Sequence, residues 1–398
     1  MSKIFVCWEL GANFGHLTRL MPIAEQLRHR HELFFAVRDT EVAAALLEPQ
    51  RFPFTQAPFW HGRACLPAQP INYAEILIAE GYCRRDGLPG MLRSWLSLFD
   101  IFQPDVVVAD YSPTALLAAR IAKIPAVCID NGFGLPPNIA PLPSIRAWES
   151  ITEQRLQHAE ATVLHSINSV CRAFGGLALE RLVDLFNTEG TVLTTFAELD
   201  HYGPRNETEY AGPIFSNAAG QAVQWQGTHR RKILAYLRPS VPGIDNLLKA
   251  LAELDAEVIC IVPGLKRLNR AVANRLRIYV HPVQLDNIIV SADLVVSYGG
   301  SGMVCCALLA GVPLLLVPQN VEQYMFSCRV DGLGAGLVMG TNRSEVDFQA
   351  SLQQLLNEDR FRVAARAFAL KHTGFHPDQA VSHSVRVIET VLSHHLVQ

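Results

Sequence analysis

The sequence of residues 293–304 is Asp293-Leu-Val-Val-Ser-Tyr-Gly-Gly-Ser-Gly-Met-Val304, which places three glycines between an apolar run and the start of a helical pattern. Glycine lets the backbone turn sharply and approach a ligand closely, and the free amides at a helix start attract anions. In an open parallel sheet, ligands bind at the carboxyl ends of strands. The stretch therefore predicts a phosphate site after a buried strand, and the alternative is a tight turn that binds nothing. It is neither a Walker A loop nor a complete dinucleotide-binding glycine motif.

Strands and helices alternate on both sides of this stretch. Short apolar runs predict strands at 4–8, 33–37, 105–109, 126–129, 191–195, 233–237, 258–262, 277–280, 294–297 and 314–317. Helical spacing of apolar residues predicts helices at 17–28, 114–123, 244–254, 304–310 and 377–396. An aromatic stretch at 52–98 and a proline-rich stretch at 131–146 show neither pattern clearly. The alternation predicts parallel sheets that are covered by helices on both faces.

The length of the chain and a break in the pattern predict two domains. A chain of 398 residues exceeds what one hydrophobic core usually serves. Gly212-Pro213 and the small polar residues up to Gly220 are typical of a linker. We therefore predict an α/β protein with two Rossmann-like, doubly wound parallel-sheet domains that face each other across a cleft. Their bounds would be 1–212 and 213–375, and residues 376–398 would form a helix that packs back toward the N-terminal domain.

The composition excludes several functional classes. The net charge is -3 and no basic stripe is present, so we do not expect a nucleic-acid partner. Nine cysteines without a C-x-x-C pair, together with an N-terminus that lacks a signal-peptide pattern, predict reduced thiols in a cytoplasmic protein. The longest apolar run, 306–317, contains Gly311 and Pro313 and is too short to cross a bilayer, so no transmembrane segment is expected.

The residues after the three glycines extend the pattern. They include Ala307-Leu-Leu-Ala-Gly-Val-Pro313, Pro318-Gln-Asn-Val-Glu-Gln323 and Gly332-Leu-Gly-Ala-Gly336. Starting at the glycine turn, this order resembles the donor-binding signature of the UDP-glycosyltransferase-like proteins, the group of glycosyltransferase families 1 and 28. The resemblance implies the GT-B fold, a nucleotide-diphosphate sugar as donor substrate, and no further cofactor.

The resemblance also implies roles for individual residues. Glu322 and Gln323 would hydrogen-bond the sugar hydroxyls, although a solvated helix start would explain them equally well, and Val283 lies where the family binds the nucleobase. The diphosphate would be held by backbone amides, with Tyr298 beside them, at Gly299, Gly300, Ser301, Gly302 and Met303.

Two positions depart from the family signature. The histidine of the signature is Tyr298 in this chain, which removes a cationic or hydrogen-bonding partner for phosphate. A ribose-binding glutamate of the plant members is replaced by Cys306. Amides and a helix dipole can still form a neutral phosphate site.

The N-terminal region resembles the acceptor half of the same family. The run Gly15-His16-Leu-Thr-Arg-Leu-Met-Pro22 resembles a motif whose histidine is the general base, although the proline comes later here. An unperturbed imidazole has a pKa of about 6.5 and can accept a hydroxyl proton near neutral pH. Asp110, which follows the predicted strand 105–109, would orient His16 and stabilise its protonated form. The structural alternatives are helix-start packing for His16 and an N-cap or surface turn for Asp110.

The resemblance predicts an inverting, metal-independent glycosyltransferase that uses a UDP- or TDP-linked sugar. We find no D-x-D motif near a strand end and no His/Cys cluster with zinc spacing. The acceptor would be a small molecule or a lipid. Peripheral membrane contact is compatible with a lipid acceptor, but no basic amphipathic helix indicates it. Aromatic residues such as Tyr73, Tyr82, Trp95 and Phe99 would either line the acceptor pocket or complete a core.

Two other functions fit the same sequence. A hydrolysing nucleotide-sugar epimerase would share the two-domain fold and would release nucleotide diphosphate without an acceptor. A non-catalytic nucleotide-sugar-binding partner of another transferase would be consistent with Tyr298, whereas His16 together with Asp110 argues against it.

Overall fold

A computed structural model describes residues 1–12, 14–62, 66, 69–206, 208–215, 220–227, 229–266, 272, 274–340 and 347–396. The chain divides into two compact units, which are Met1–Ile214 with Pro377–Gln398, and Phe215–His376. The predicted linker around Gly220 lies partly outside the described residues, because 216–219 are not among them.

The first unit is built on one parallel sheet. Its strands lie in the order β3-β2-β1-β4-β5-β6 and all pair in parallel. Their bounds are β1 (Lys3–Trp8), β2 (Glu32–Val37), β3 (Phe54–Gln56), β4 (Val106–Asp110), β5 (Ala126–Asp130) and β6 (Gly190–Leu193). The central strands β4 and β5 are buried along their whole length, as expected for a sheet covered on both faces.

Helices connect these strands. They are α1 (Gly15–Leu27), α2 (Thr40–Leu46), α3 (Tyr73–Ala79), α4 (Gly87–Phe102), α5 (Pro113–Ala122) and α6 (Glu153–Ala173), followed by 3-10 turns at Leu182–Phe186 and Ala197–Leu199. The stretch 52–98 is therefore more regular than its sequence indicates. The first turn of α4 contains Gly87, Pro89 and Gly90. Proline is tolerated there because the amide hydrogen that it lacks would have no acceptor within the helix, so these residues start a helix instead of preventing one.

Aromatic residues of this stretch build the core of the first unit. Tyr82, Trp95 and Phe99 are each no more than 2% exposed. The ring of Phe5 in β1 meets Trp95 and Phe99 edge-on, with centroid distances of 6.4 and 5.3 Å. Edge-to-face contacts of this kind add to the free energy gained by burying the rings. Of the two interpretations of these aromatic residues, core packing is the one that their burial supports.

The second unit repeats the same topology. Its strands lie in the order β12-β11-β10-β7-β8-β9, all parallel, so both units have the strand order of the doubly wound dinucleotide-binding fold. The strands are β7 (Lys232–Tyr236), β8 (Glu257–Ile261), β9 (Arg277–Tyr279), β10 (Leu294–Ser297), β11 (Leu314–Leu316) and β12 (Gly336–Val338). The two sheets confirm the prediction of two Rossmann-like, doubly wound α/β units.

The described helices of the second unit follow its strands. They are α7 (Ile244–Ala252), α8 (Asp286–Ile289), α9 (Ser301–Leu309), α10 (Val321–Gly332), α11 (Phe348–Asn357) and α12 (Asp359–Lys371). The last helix of the chain, α13 (Pro377–Leu396), has the bounds predicted from its sequence and belongs to the first unit. There Arg30 forms an ion pair of 2.7 Å with Glu389.

None of the eight cysteines within the described part of the chain forms a disulfide. Six of them are buried, whereas Cys83 is half-buried and Cys328 is exposed. In the same part of the chain, no helix combines the length and the apolar character that crossing a membrane requires.

Candidate active site

Two buried aspartates of the first unit lie at the carboxyl ends of adjacent strands of its sheet. Trp8 at the end of β1 is directly paired with Asp110 at the end of β4, and β5 beside them ends at Asp130. The strands β1 and β4 are the pair at which the strand order reverses. In doubly wound sheets this switch point is where ligands bind, because the flanking loops diverge there.

His16 and Asp110 meet at this switch point. His16 lies in the first turn of α1, and its Nδ1 is 3.0 Å from Oδ1 of Asp110. The Asp110 side chain is fully buried, while 16% of the His16 side chain remains exposed. An ionised carboxylate can only accept hydrogen bonds, so Nδ1 carries the proton and donates, which leaves Nε2 as the proton acceptor. The structure therefore brings together the two residues that the sequence paired as base and orienting acid.

Arg19 is a third member of this cluster, and sequence analysis did not identify it as a site residue. Its Nη2 lies 2.6 Å from each oxygen of Asp110, its Nε donates to Oδ2 at 3.2 Å, and it is 6% exposed. It lies three residues after His16, so both project from the same face of α1. That spacing is the signal that could have identified it.

The charges of this cluster determine the ionisation of Asp110. Burial by itself would raise the pKa of the Asp110 carboxyl, but the Arg19 guanidinium and His16 outweigh burial and hold the pKa below its usual value. Burial has the opposite outcome at Asp130. Its pKa is raised despite Arg19 nearby, and Asp110 adds to the increase. The ionised partner of His16 is therefore Asp110.

Asp130 organises the loop that follows β5. Its Oδ1 accepts hydrogen bonds from the amides of Gly132 (2.6 Å) and Gly134 (2.9 Å). A Cβ on Gly134 would come within 2.7 Å of the Tyr111 ring, so a side chain there would displace that ring. The first residues of the predicted loop 131–146 are thus held against the end of β4.

The His16 ring is held by its neighbours. It stacks on the Trp8 indole with a centroid distance of 5.0 Å, and it lies nearly parallel to the Tyr111 ring at 6.3 Å. Gly11, with φ at +82°, lies against the ring, since a Cβ there would be 2.5 Å from Nε2. Tyr111 itself has φ at +47°, an uncommon conformation for a bulky residue, and strained backbone of this kind clusters at functional sites.

Glu9 is a buried acid beside this site. Its Oε2 accepts from the amides of Thr114 (2.8 Å) and Ala115 (3.3 Å) at the start of α5, and the Thr114 hydroxyl donates to Oε1. Burial raises the pKa of Glu9 to about 8, although these hydrogen bonds with Thr114 and Ala115 act to lower it. The group therefore holds its proton in the folded protein at pH values where the unfolded chain has lost it.

We expect the Glu9→Gln variant to lose less stability than the wild type as the pH rises. Folded Glu9 binds a proton up to about pH 8, whereas the unfolded group releases it near 4.5. Across this window the wild-type free energy of unfolding should fall, relative to the variant, by up to about 1.4 kcal/mol per pH unit. Urea unfolding at pH 6 and pH 8 measures this. Equal pH dependence in both proteins would contradict it.

In the second unit, the glycine stretch forms a turn at the carboxyl end of β10. Gly299 has φ at +87°, and its amide donates to Ser297 Oγ at 3.2 Å. A Cβ on Gly299 would lie 2.8 Å from Ser327 Oγ, so this position has no room for a side chain and requires glycine. Gly299 thus contributes the shape of the turn, and its amide, which was expected to hold phosphate, already donates to Ser297.

The next residues begin helix α9 with uncapped amides. Gly300 is the N-cap and provides no side-chain cap, and Ser301, Gly302 and Met303 form the first turn and are half-buried. Amides of a first helical turn have no acceptor within their own helix and therefore attract anions. The Tyr298 ring lies against Gly300, because a Cβ there would be 3.1 Å from Tyr298 Cε2.

The Glu322–Gln323 pair lies beside the same turn. The strands β10 and β11 are neighbours, and a Cβ on Gly299 would be 3.5 Å from Gln323 Cβ. Gln323 is 5% exposed, and its Oε1 accepts from the Gln319 amide at 2.9 Å, so this oxygen shapes the loop. Glu322 is half-buried in the first turn of α10.

Val283 lies farther along the same sheet. It follows β9, the edge strand that β7 and β8 separate from β10. Val283 is 4% exposed and forms an isolated bridge with Gln221. The hydrogen bonds of this bridge use Pro282 and Gln284, so the Val283 amide and carbonyl face the other side. The structure thus brings Tyr298, the glycine turn and Gln323 together, and it places Val283 in a bridge with Gln221 after the edge strand β9.

The two sites provide complementary chemistry. His16 with Asp110 can take a proton from a hydroxyl group, and the turn Gly300–Met303 can hold an anion with its amides. Within the described ranges, no group of three or more His, Cys, Asp and Glu is arranged to hold a metal ion.

Known proteins are similar to this chain in sequence. Residues 245–380 match the family described as erythromycin biosynthesis protein CIII-like, C-terminal domain. A PGL/p-HBAD biosynthesis rhamnosyltransferase of Mycobacterium bovis (strain BCG / Pasteur 1173P2) is 28% identical over 95% of this chain and 86% of its own. The 4'-demethylrebeccamycin synthase of Lentzea aerocolonigenes is 26% identical over 88% of this chain and 91% of its own.

Solved structures agree with the architecture of the whole chain. The spinosyn rhamnosyltransferase SpnG superposes with a TM-score of 0.65 at 16% identity, covering 99% of this chain and 100% of its own. The glycosyltransferase VinC, in complex with DTDP, superposes with a TM-score of 0.66 at 18% identity, covering 98% and 100%. The mycobacterial relative is named a rhamnosyltransferase and matches this chain over most of its length, and the solved glycosyltransferases share the fold of two doubly wound sheets. The chain therefore has the GT-B fold, and its similarity to these relatives identifies it as a glycosyltransferase enzyme.

Proposed function

We propose that the protein is an inverting, metal-independent transferase that moves a sugar from a UDP- or TDP-linked donor to a hydroxyl of a small-molecule or lipid acceptor. The observation that carries this proposal is the 3.0 Å contact between His16 Nδ1 and buried Asp110. It supports His16 as a general base with a fixed tautomer, which is what deprotonation of an acceptor requires.

The proposed reaction is a single displacement. His16 Nε2 takes the proton of the acceptor hydroxyl while that oxygen forms a bond to the anomeric carbon. The bond between the anomeric carbon and the phosphate oxygen breaks, and its electron pair leaves with the nucleotide diphosphate. Attack from the face opposite the leaving group inverts the anomeric configuration. Asp110 stabilises the imidazolium that forms.

The first-turn amides of α9 support the donor half of the proposal. The amides of Ser301, Gly302 and Met303 would stabilise the charge that develops on the leaving diphosphate, a role for which preorganised amides are effective. The relatives support the donor class, because SpnG was solved with thymidine diphosphate and VinC with DTDP. SpnG was also solved with spinosyn aglycone, a precedent for a small-molecule acceptor.

Product analysis tests this function, and the transfer reaction should be unaffected by metal removal. We expect a panel of UDP- and TDP-sugars with phenolic and aliphatic alcohols to yield a glycoside and one equivalent of nucleotide diphosphate. The new anomeric centre, assigned by NMR, should have the configuration opposite to that of the donor. The rate should be equal with and without EDTA, because amides would provide the electrostatic stabilisation.

Other outcomes of this assay identify the alternatives. Retained configuration would contradict the single displacement, and loss of activity with EDTA would contradict metal independence. Nucleotide diphosphate released at the same rate with and without acceptor would indicate the hydrolysing epimerase. Binding of the donor without any turnover would indicate a non-catalytic binding partner.

A further inference from the structure

Arg238 lies at the switch point of the second sheet. The strands β7 and β10 are parallel neighbours with Tyr236 paired to Ser297, and they are the strands at which the order of this sheet reverses. Arg238 follows β7 by two residues, just as Gly299 follows β10. The register therefore places Arg238 and the glycine turn side by side at the edge where ligands of this fold bind.

Arg238, Tyr298 and Gly300 form a stack. The guanidinium carbon of Arg238 is 4.6 Å from the centroid of the Tyr298 ring, and Nη2 donates to the Tyr298 hydroxyl at 3.3 Å. The same ring lies against Gly300, where a Cβ would be 3.1 to 3.3 Å from its Cε2, hydroxyl and Cζ atoms. One tyrosine ring thus connects the positive charge of Arg238 to the start of the uncapped helix α9.

We propose that Arg238 binds the diphosphate of the nucleotide, supplying the positive charge that the family signature places in a histidine at position 298. This inference rests on the proposed function of the glycine turn as a diphosphate site. A turn of amides offers hydrogen bonds but no net charge. A guanidinium adds a permanent charge and a planar pair of donors that matches phosphate oxygens.

Tyr298 has a positioning role in this arrangement. Its ring packs against Arg238 by a cation–π contact, and its hydroxyl accepts a hydrogen bond from the same guanidinium. Both contacts restrict the Arg238 side chain before ligand arrives, which reduces the entropy lost on binding. The positive charge that the family signature places at position 298, after β10, is then supplied in this chain by Arg238, after the neighbouring strand β7.

Affinity for UDP and TDP, compared with uridine and thymidine, tests this assignment by calorimetry. We expect Arg238→Gln to lower the affinity for UDP and TDP by about tenfold to a hundredfold. The affinity for uridine and thymidine should not change, since only the diphosphates carry the phosphate charge that Arg238 would bind. The diphosphate affinity of Arg238→Lys should lie between those of the wild type and Arg238→Gln. Arg360→Gln is the matched control, because Arg360 also stacks on an aromatic ring, Phe361 at 4.2 Å, but is 63% exposed within α12.

A rescue variant separates charge relocation from a general loss of structure. In Arg238→Gln/Tyr298→His, the new histidine should restore part of the lost diphosphate affinity, more at pH 6 than at pH 8, because only the imidazolium carries charge. Equal diphosphate affinity in the wild type and Arg238→Gln would overturn the role of Arg238 but not the proposed donor site. An equal loss for nucleosides, or no rescue at either pH, would also overturn it. Failure of the wild type to bind either diphosphate would overturn this role and the proposed donor site together.

Discussion

Replacing His16 with alanine should reduce sugar transfer by about a thousandfold while leaving UDP and TDP affinity unchanged, because general-base catalysis contributes about a hundredfold to ten-thousandfold. The imidazole is held by a 3.0 Å bond to Asp110 and by stacking on Trp8. Alanine keeps the helix α1 intact but removes Nε2, the proposed acceptor of the hydroxyl proton. Steady-state rates with a donor and acceptor that support transfer measure the effect.

A matched control is His158→Ala, since His158 lies exposed on α6 of the same unit. Its transfer rate should equal that of the wild type. Unchanged turnover in His16→Ala would show that another group is the base. Lost donor binding together with lost turnover would show that the substitution had damaged more than proton transfer.

The Asp110→Ala variant should lose about 3–5 kcal/mol of unfolding free energy, which is the expected cost of leaving a buried charge without its carboxylate. The charge is that of Arg19, which is 6% exposed and donates to both Asp110 oxygens. The Asp110 carboxyl is fully buried, so solvent does not screen the pair. Urea unfolding at neutral pH measures the loss.

Two further variants test the cause of this loss. Asp110→Ala/Arg19→Met removes both charges and should recover most of the stability lost in Asp110→Ala, because no unpaired charge then remains. Asp100→Ala, at an exposed position in α4, should stay within about 0.5 kcal/mol of the wild type. A double variant as unstable as the single one would show that the cost does not come from Arg19.

Local sequence predicted the elements with strong periodicity. The glycine turn after 294–297 and the last helix were placed correctly, since an apolar run followed by glycines, and helical spacing over twenty residues, each favour one conformation. Helix α4 was missed because its glycines and proline resemble a loop until its first turn is known. The short strands β3 and β12 were missed because neither contains an apolar run: β3 is Phe54-Thr-Gln56, and β12 begins at Gly336.

The candidate site was predicted only in part. His16 and Asp110 were paired through the family resemblance, and the structure brings them into contact. Arg19 and Arg238 escaped prediction because a single arginine on a helix or after a strand is most often a solvated surface residue. What distinguishes these two is the partner beside them, and that partner lies 91 residues away for Arg19 and 60 residues away for Arg238.

By itself, the sequence determined that this chain forms two doubly wound units and that a glycine turn follows one buried strand, because hydrophobic period and glycine conformation act over a few neighbouring residues. The tertiary structure alone decided that Asp110 is shared between His16 and Arg19, and that Arg238 stacks on Tyr298. These contacts depend on strand order and register, which bring distant segments to the same edge of a sheet. Whether a charge is buried, paired or available to a ligand is settled at that edge, and no local pattern encodes it.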